Sequence, residues 1–172
     1  HGKKTFPFAV YHGRIPEWLD GFPLHWHDEF EIIFVSYGTG IVTVQGSRFL
    51  CCEGDIVLIP PGAVHSILQN GDDCIAYYNI LFSISLLEEN PDSFCSRRFF
   101  FFFFDGAPLK FYSYKKWLLV YSLLFPLVKE LCGLWEKDLS ESALLVKARL
   151  FEIMHLIKDE VLSADESASS KN

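Results

Sequence analysis

The sequence lacks paired-cysteine motifs and long apolar segments. Its five cysteines are an odd number without a C-x-x-C motif, which favours free thiols in a reducing cytosol. The longest apolar stretch, Trp117–Val128, is about a dozen residues long, whereas a bilayer span needs ~20, and residues 1–10 show no signal peptide. These absences predict a soluble, cytoplasmic protein that does not bind membranes.

The sequence also has too little positive charge for a nucleic-acid surface. It contains 15 basic and 22 acidic residues, which gives a net charge of −7. The dense cationic positions are three short pairs, Lys3-Lys4, Arg97-Arg98 and Lys115-Lys116. Proteins that follow a phosphate backbone carry a basic face or stripe. We therefore expect that this chain does not contact DNA itself.

The composition and the first half of the sequence predict an antiparallel β fold. Half of the 172 residues are apolar and 16% are aromatic, which is ample for the core of one domain. Short β-branched and aromatic runs such as Glu31–Ser36, Gly40–Val44 and Ile56–Ile59 alternate with turn residues roughly every eight to ten positions, as in sandwiches and barrels. The turn signals are Tyr37-Gly38-Thr39-Gly40, Gln45-Gly46-Ser47, Glu53-Gly54-Asp55, Pro60-Pro61-Gly62 and Asn70-Gly71-Asp72-Asp73.

Six consecutive phenylalanines, Phe99–Phe104, follow this region. We interpret them as a strand buried on both faces rather than as the aromatic wall of a ligand site. An exposed strand of this composition would aggregate, so another part of the protein must cover it.

From Tyr114 onward the apolar residues recur at helical spacing. The pattern predicts a first helix to Leu134, kinked or split at Pro126, and a second helix over Glu141–Leu162. We expect a β-barrel with an N-terminal arm at 1–112, a helical hairpin at 113–163 and a linker-like tail at 164–172. The apolar positions are Trp117, Val120, Tyr121, Leu124, Leu127, Val128, Leu131 and Leu134 in the first helix, and Leu144, Leu145, Ala148, Phe151, His155 and Leu162 in the second.

Three histidines and a glutamate are candidate metal ligands. Alternate side chains of a strand share a face, so His25, His27, Glu29 and Glu31 project to the same side. The rigid Pro60-Pro61-Gly62 turn places His65 at the start of a later strand. Imidazole and carboxylate groups suit Zn²⁺, Fe²⁺, Mn²⁺ or Ni²⁺. The spacing leaves open whether they hold a metal or orient an organic ligand by hydrogen bonds.

The neighbouring side chains receive simpler interpretations. Glu29 is expected at the mouth of the site or in solvent. Trp26 and Phe30 share the opposite face of the strand, where apolar side chains belong to the core. Tyr77 and Tyr78 suit packing in the core, and Tyr77 is also a candidate ligand-binding residue.

Two segments resemble the two cupin motifs. His25, His27, Glu31 and Gly38 fit the spacing of the first motif, Gly-x5-His-x-His-x3–4-Glu-x6-Gly, although Gly21 stands too close to His25 to open it. Gly54, Pro60, Gly62 and His65 fit the second motif, Gly-x5-Pro-x-Gly-x2-His-x3-Asn, with Gln69 at its closing position. Within the cupins, the runs His-Trp-His-Asp-Glu-Phe-Glu-Ile-Ile and Ile-Pro-Pro-Gly-x-x-His resemble the N-terminal domain of AraC-type transcription regulators.

The resemblance implies a mainly β fold, an antiparallel cupin barrel (double-stranded β-helix) followed by an α-helical hairpin through which two copies dimerise. It implies that a small-molecule effector, such as a sugar, binds in the barrel near His25, His27, Glu31, His65 and Tyr77. Contact with DNA would require a C-terminal helix-turn-helix module that is absent from this sequence. The chain starts with His and ends in a linker-like tail, so we expect either a fragment cut at a domain boundary or a stand-alone relative.

A metal-dependent cupin enzyme, such as a dioxygenase or a sugar isomerase, is the alternative. Three imidazoles and a carboxylate leave coordination positions open for substrate. However, the sequence offers no evident acid or base beyond the ligand set, and an enzyme would not need the hairpin. We therefore expect a sensor rather than an enzyme.

Overall fold

The computed structural model describes residues 6–88, 90, 92–100, 112–115, 118–134, 137 and 141–169. Within these residues the chain forms eight strands and two α-helices. The strands are β1 Phe8–Ile15, β2 Phe22–His25, β3 Phe30–Val44, β4 Ser47–Cys52, β5 Ile56–Ile59, β6 His65–Gln69, β7 Ile75–Phe82 and β8 Tyr112–Tyr114, and the helices are α1 Tyr121–Cys132 and α2 Ala143–Ser169.

The long strand β3 belongs to two antiparallel sheets that face each other. Its first half pairs with β7 and β5 in a main sheet of order β1-β7-β3-β5-β8. Its second half pairs with β4 and β6 in a smaller sheet to which β2 is added. This arrangement confirms the predicted mainly β, cupin-like barrel followed by a helical hairpin.

The predicted turn at Tyr37-Gly38-Thr39-Gly40 is wrong, because β3 continues through it. The strand instead changes register between Val35 and Tyr37 and passes into the second sheet. Gly38 makes this bend, since its φ of +72° is unfavourable for other residues, and a Cβ at this position would collide with the carbonyl oxygen of Cys74. The glycine that closes the first motif therefore has a backbone role.

The residues expected to form an N-terminal arm are in part a strand of the main sheet. β1 pairs with β7 along its whole length, from Phe8 opposite Phe82 to Ile15 opposite Ile75. Its aromatic and β-branched composition suits a sheet. Residues 1–5 lie outside the described part of the chain.

Two apolar cores lie on opposite faces of the main sheet. The barrel core between the sheets contains Ile33, Val35, Val42, Ile67 and Ile75. The second core lies between the outer face of the main sheet and the helices, and burying each of its large aliphatic side chains contributes about 1.5–3 kcal/mol. It includes Ile32, Phe34, Ile80, Phe82, Leu124, Val128, Leu131, Val146, Leu150, Ile153 and Ile157.

The barrel and the first helix are joined by polar contacts at the turn before β5. Asp55, which is buried, accepts hydrogen bonds from the backbone N–H of Cys52 and from the Lys115 ammonium group. The Tyr121 hydroxyl donates to the carbonyl oxygen of Gly54 at 2.7 Å. Because β8 pairs with β5 immediately before Lys115, the start of the hairpin is fixed to the barrel.

The first helix starts later than predicted and is not split. Tyr112–Tyr114 is strand β8 instead of the beginning of a helix, and α1 begins at Tyr121. Pro126 lies inside α1 without dividing it. Proline removes one backbone hydrogen bond, and the buried face of the helix, including Leu124 and Val128, holds the two halves against the sheet.

The predicted apolar stripe of the second helix lies on its exposed side. Leu144, Ala148 and His155 are exposed and Phe151 is 44% exposed, whereas Val146 and Leu150 belong to the buried face. The helix has apolar residues on both sides, so their spacing does not identify the buried one. The backbone of α2 also continues to Ser169, beyond the predicted end at Leu162, because no proline or glycine interrupts it.

The strand predicted for the phenylalanine run is wrong for its first two residues. Phe99 and Phe100 end a π-helical turn over Ser96–Phe100, and Phe100 is buried in the core beneath the helices. Phe101–Phe104 lie outside the described residues.

We expect Leu150→Ala to lower the free energy of unfolding by about 2–5 kcal/mol, because Leu150 is fully buried and its loss leaves a cavity. The matched control is Leu144→Ala in the same helix, where the side chain is 83% exposed, and this should change stability by less than about 0.5 kcal/mol. Urea unfolding followed by circular dichroism measures both. Equal losses in the two variants would contradict the assignment of the buried face.

Candidate functional site

The four predicted ligand residues converge inside the barrel. His25 ends β2, Glu31 lies on β3, and His65 begins β6 directly opposite His25. His27 lies in the loop between β2 and β3. The backbone carbonyl oxygen of His27 accepts a hydrogen bond from the N–H of Gly62 at 2.8 Å. The Pro-Pro-Gly turn is thereby tied to the histidine loop.

The geometry of this cluster brings one potential ligand atom from each residue within 4.8 Å of the others. The ring centres lie 4.2 Å apart for His25 and His65 and 5.1 Å apart for His27 and His65. The Nε2 atoms of His27 and His65 lie 3.0 and 2.8 Å from the same carboxylate oxygen of Glu31. The convergence that the motifs predict is therefore present.

The strand interpretation of the cluster is wrong in one respect. His25, His27, Glu29 and Glu31 were expected on one face of one strand, but β2 ends at His25 and β3 begins at Phe30. The loop between them turns His27 toward the others. Phe30 is buried as predicted, whereas Trp26 is 63% exposed because the loop removes it from the alternation of the strand. The side chain of Glu29 is 46% exposed beside His27, which agrees with the expected position at the mouth of the site or in solvent.

Backbone carbonyl groups fix the tautomer of all three histidines. The Nδ1 atoms of His25, His27 and His65 face the carbonyl oxygens of Pro23, Glu29 and Ala63 at 2.8, 3.1 and 2.7 Å. A carbonyl oxygen only accepts, so each Nδ1 carries the hydrogen and donates it. In the neutral ring the lone pair then lies on Nε2, as in histidines that bind metals.

This arrangement favours a positive charge, from a proton or a metal ion, between the histidines and Glu31. The side chain of Glu31 is 2% exposed, and one of its oxygens faces the Nε2 atoms of His27 and His65. If both rings were neutral, their lone pairs would face a carboxylate lone pair, and nothing would offset the burial of the charge. Either protons or a divalent metal ion at this position resolves the conflict. The donor set therefore fits Zn²⁺, Fe²⁺, Mn²⁺ or Ni²⁺.

The pKa values of Glu31 and His27 in the free site are shifted by the contact between these two side chains. Burial acts to raise the pKa of Glu31, but hydrogen bonds from His27 and His65 outweigh it and the pKa lies below its usual value. The hydrogen bond with Glu31 raises the pKa of His27 above its usual value, against the effect of burial. The free protein thus favours the ion pair between a protonated His27 and the Glu31 carboxylate.

A cavity of about 350 Å³ adjoins the cluster and opens at the barrel mouth. Tyr77 lines it, as the sequence interpretation allowed, and its side chain is 2% exposed. Burial, together with the Glu31 charge, raises the pKa of Tyr77 to about 12. Asn79 on the same strand and Gly13 on β1 also line the cavity and were not among the predicted site residues. The lining residues are Tyr11, His12, Gly13, Leu19, Phe22, His25, His27, Glu31, Tyr77, Asn79 and Leu81.

The alternation of β7 could have identified Asn79. Tyr77, Asn79 and Leu81 face the cavity, and a polar residue two positions from a candidate ligand residue shares its face of the strand. No residue-level signal distinguished Gly13 from other glycines, because its role depends on the neighbouring strand. His12 also lines the cavity and stacks on Tyr78 with ring centres 4.4 Å apart.

A protein-family model matches the barrel together with most of the helical hairpin. The model of the AraC-like ligand binding domain matches residues 7–154. The chain belongs to the AraC-like ligand-binding domain family. The match spans the barrel and most of the hairpin, and it confirms the resemblance predicted from the two motifs.

The relatives of this AraC-like domain include a bacterial regulator. Over 76 residues the domain is 30% identical to YdeC of Bacillus subtilis, an uncharacterized HTH-type transcriptional regulator. The match covers 43% of this chain and 26% of the regulator, so the chain spans about a quarter of its relative. No helix among the described residues is both long and apolar enough to span a membrane.

Solved cupin structures are similar to part of the AraC-like domain. A cupin protein of Bacteroides fragilis is 26% identical, with a TM-score of 0.44 over 49% of this chain and 72% of that one. A Cupin 2 conserved barrel protein of Salinispora arenicola is 25% identical, with a TM-score of 0.40 over 46% of this chain and 66% of that one.

We expect Tyr77→Phe to leave the stability of the free domain within about 0.5 kcal/mol of wild type, because no described residue forms a hydrogen bond with the Tyr77 hydroxyl. Tyr121→Phe is the matched control and should cost about 1–3 kcal/mol, since it leaves the carbonyl oxygen of Gly54 without its donor. Urea unfolding compares the two. A loss for Tyr77→Phe as large as that for Tyr121→Phe would show that the Tyr77 hydroxyl has a structural partner.

Proposed function

We propose that this AraC-like domain is the effector-sensing and dimerising part of a transcription regulator. A small polar molecule, such as a sugar, enters the barrel mouth and binds beside His25, His27, Glu31 and His65. The observation that carries this proposal is the cavity that adjoins the cluster, with Tyr77 and Asn79 among its lining residues. Concave sites with a few convergent polar groups are typical of small-molecule binding.

The position of the helices supports signalling from this cavity. Glu31 faces the cavity, whereas Ile32 on the same strand packs into the core beneath α1 and α2. Only the main sheet, which is one strand thick, therefore lies between the proposed ligand site and the hairpin. A ligand that shifts the strands of this sheet would therefore also shift the surface on which the hairpin packs. For regulation the ligand must bind one of two arrangements more tightly than the other.

A divalent metal ion is the proposed partner of the histidine cluster. The Nε2 atoms of His25, His27 and His65 and one oxygen of Glu31 would hold it. The carbonyl groups at each Nδ1 would keep the rings oriented, as partners of metal-bound histidines do. The metal would supply a positive charge, and its vacant coordination positions would be available to an oxygen atom of the effector.

We expect the chain to bind one Zn²⁺ or Ni²⁺ per copy, and His27→Gln to weaken the affinity at least about tenfold. His155→Gln, which removes an exposed histidine of α2, should leave the affinity unchanged. Because the pKa of His27 is raised, protons compete with the metal, so the affinity should rise with pH from about 5.5 to 8. Calorimetry measures both effects. Equal losses in the two variants, or an affinity that falls with pH, would contradict the site.

Dimerisation through the hairpin is proposed from its exposed apolar face. Leu119 is 90% exposed and Leu123 is 56% exposed, and Leu123 lies in a groove together with Phe151 of α2. An apolar face that is exposed on a hairpin, rimmed by Glu152 and His155, is typical of a protein interface. A second copy of the chain would cover it.

We expect the chain in solution to have twice its mass of 19.8 kDa, and Leu123→Glu to convert it to a monomer. The charge would be buried without a partner in the dimer, whereas in the monomer it is solvated. Leu50→Glu introduces the same charge at an exposed leucine of β4 and should remain a dimer. Sedimentation equilibrium measures all three masses. A monomeric wild type, or a monomeric Leu50→Glu, would contradict the proposed interface.

DNA binding is proposed to reside in a helix-turn-helix module of the whole regulator rather than in this domain. The HTH-type regulator YdeC is longer than its matched segment. The net charge of −7 disfavours phosphate contacts by this chain. A regulator that acts on bacterial DNA would be cytoplasmic.

A metal-dependent enzyme is the second candidate, and one observation favours it. Burial, followed by the charge of Arg14, lowers the pKa of His12, which lines the cavity mouth. A neutral imidazole at this position is able to accept a proton from a bound substrate. Turnover of a bound molecule by the metal-loaded chain would establish the enzyme, and binding without turnover would favour the sensor.

A further inference from the structure

We propose that a cavity on the helical side of the domain binds an aromatic carboxylate, at a site separate from the barrel. This hairpin cavity lies between the π-helical turn over Ser96–Phe100 and the helix α2. It has no lining residue in common with the barrel cavity, so the proposal does not depend on the effector or the metal proposed there. The described lining consists of Cys95, Phe99, Phe100, Phe151, Met154, His155 and Lys158.

The size and walls of the hairpin cavity are those of a site for a small organic molecule. Its volume of about 360 Å³ corresponds to roughly a dozen water molecules, which is enough for two fused aromatic rings with one substituent. Its wall is mainly apolar with a few polar groups, as is usual for such pockets. Cys95 is exposed and Phe100 is buried, so the cavity reaches from the surface to the core.

The aromatic lining favours an aromatic ligand over an aliphatic one. Phe100 of the π-helical turn and Phe151 of α2 lie with their ring centres 6.4 Å apart and their planes tilted by 46°. A third ring in the cavity is able to pack against the edge of one ring and the face of another, which an alkyl chain does not reproduce. Met154 adds a thioether, whose sulfur makes favourable contacts with aromatic rings.

Lys158 gives the hairpin cavity a positive charge. Its ammonium group donates a hydrogen bond to the backbone carbonyl oxygen of His155 at 3.3 Å, which holds the charge at the cavity wall. The described lining contains no aspartate or glutamate, and Glu152, earlier on α2, is paired with Arg149 at 3.0 Å. In a chain of net charge −7, a cation beside an apolar cavity favours a ligand that carries an anionic group.

The test titrates the full chain with three probes and measures each affinity by calorimetry. The first probe is 2-naphthoate. The second is 2-naphthalenemethanol, which keeps the rings and lacks the charge, and the third is decanoate, which keeps the carboxylate and lacks the rings. We expect 2-naphthoate to bind at least about fivefold more tightly than either of the others, because it alone has both features.

Substitutions in the lining test where the probe binds. Lys158→Gln removes only the charge, so it should weaken the binding of 2-naphthoate about fivefold and leave that of 2-naphthalenemethanol unchanged. Lys147→Gln removes a charge from the same helix outside the described lining and should bind both probes like wild type.

A second pair of variants fills the cavity from its exposed edge. Cys95→Trp places a large side chain there without disturbing the core, and it should weaken the binding of both naphthalene probes at least about tenfold. Cys74→Trp makes the same change at an exposed cysteine directly before β7 and should leave both affinities unchanged.

Several results would overturn the proposal. Decanoate that binds as tightly as 2-naphthoate would exclude the aromatic class, and unchanged binding of 2-naphthoate by Lys158→Gln would exclude recognition of its charge. Unchanged binding by Cys95→Trp, or no binding of any probe, would exclude the hairpin cavity. His27→Gln should bind 2-naphthoate like wild type, and a loss in this variant would assign the probe to the barrel instead.

Discussion

Glu31 is a carboxylate buried between two sheets, and the cost of burying its charge constrains the whole site. Two histidine Nε2 atoms approach the same oxygen of Glu31, at 3.0 and 2.8 Å, so a positive charge between them offsets the desolvation. The histidines face this oxygen because their Nδ1 atoms are bound to backbone carbonyl groups. A change in the β2–β3 loop or the Pro-Pro-Gly turn would therefore change the site without altering any of its side chains.

Successive side chains of β3 point to opposite faces of the main sheet, so this strand contributes residues to both apolar cores. Glu31 and Ile33 face the interior of the barrel, and Ile32 and Phe34 face the helices. The same alternation on β7 places Tyr77 and Asn79 in the cavity and Ile80 beneath the hairpin. The two faces of such a strand are both buried, so their packing is coupled. A shift of the strand that improves packing on one face changes the packing on the other.

The fold and the convergence of the four candidate ligand residues were largely predictable, and the helical part was less so. The turn signals and the two motifs are local, because each depends on residues close together in sequence. They identified the barrel and the four side chains that converge in it, His25, His27, Glu31 and His65. The buried face of α2 was not predictable, because both of its faces are apolar and the choice between them depends on the sheet. The continuation of β3 through Gly38 depends likewise on the close approach of Cys74.

The sequence by itself determined the residue types, their spacing and the alternation of strands and turns, and these were sufficient to predict the family and the four side chains that converge in the barrel. Only the tertiary structure decided which groups meet. It directs His27 through a loop, leaves Trp26 in solvent, and sets Gly13 opposite the Tyr77 ring. The reason is that burial and hydrogen bonding depend on residues distant in the chain, which local propensity and spacing do not describe.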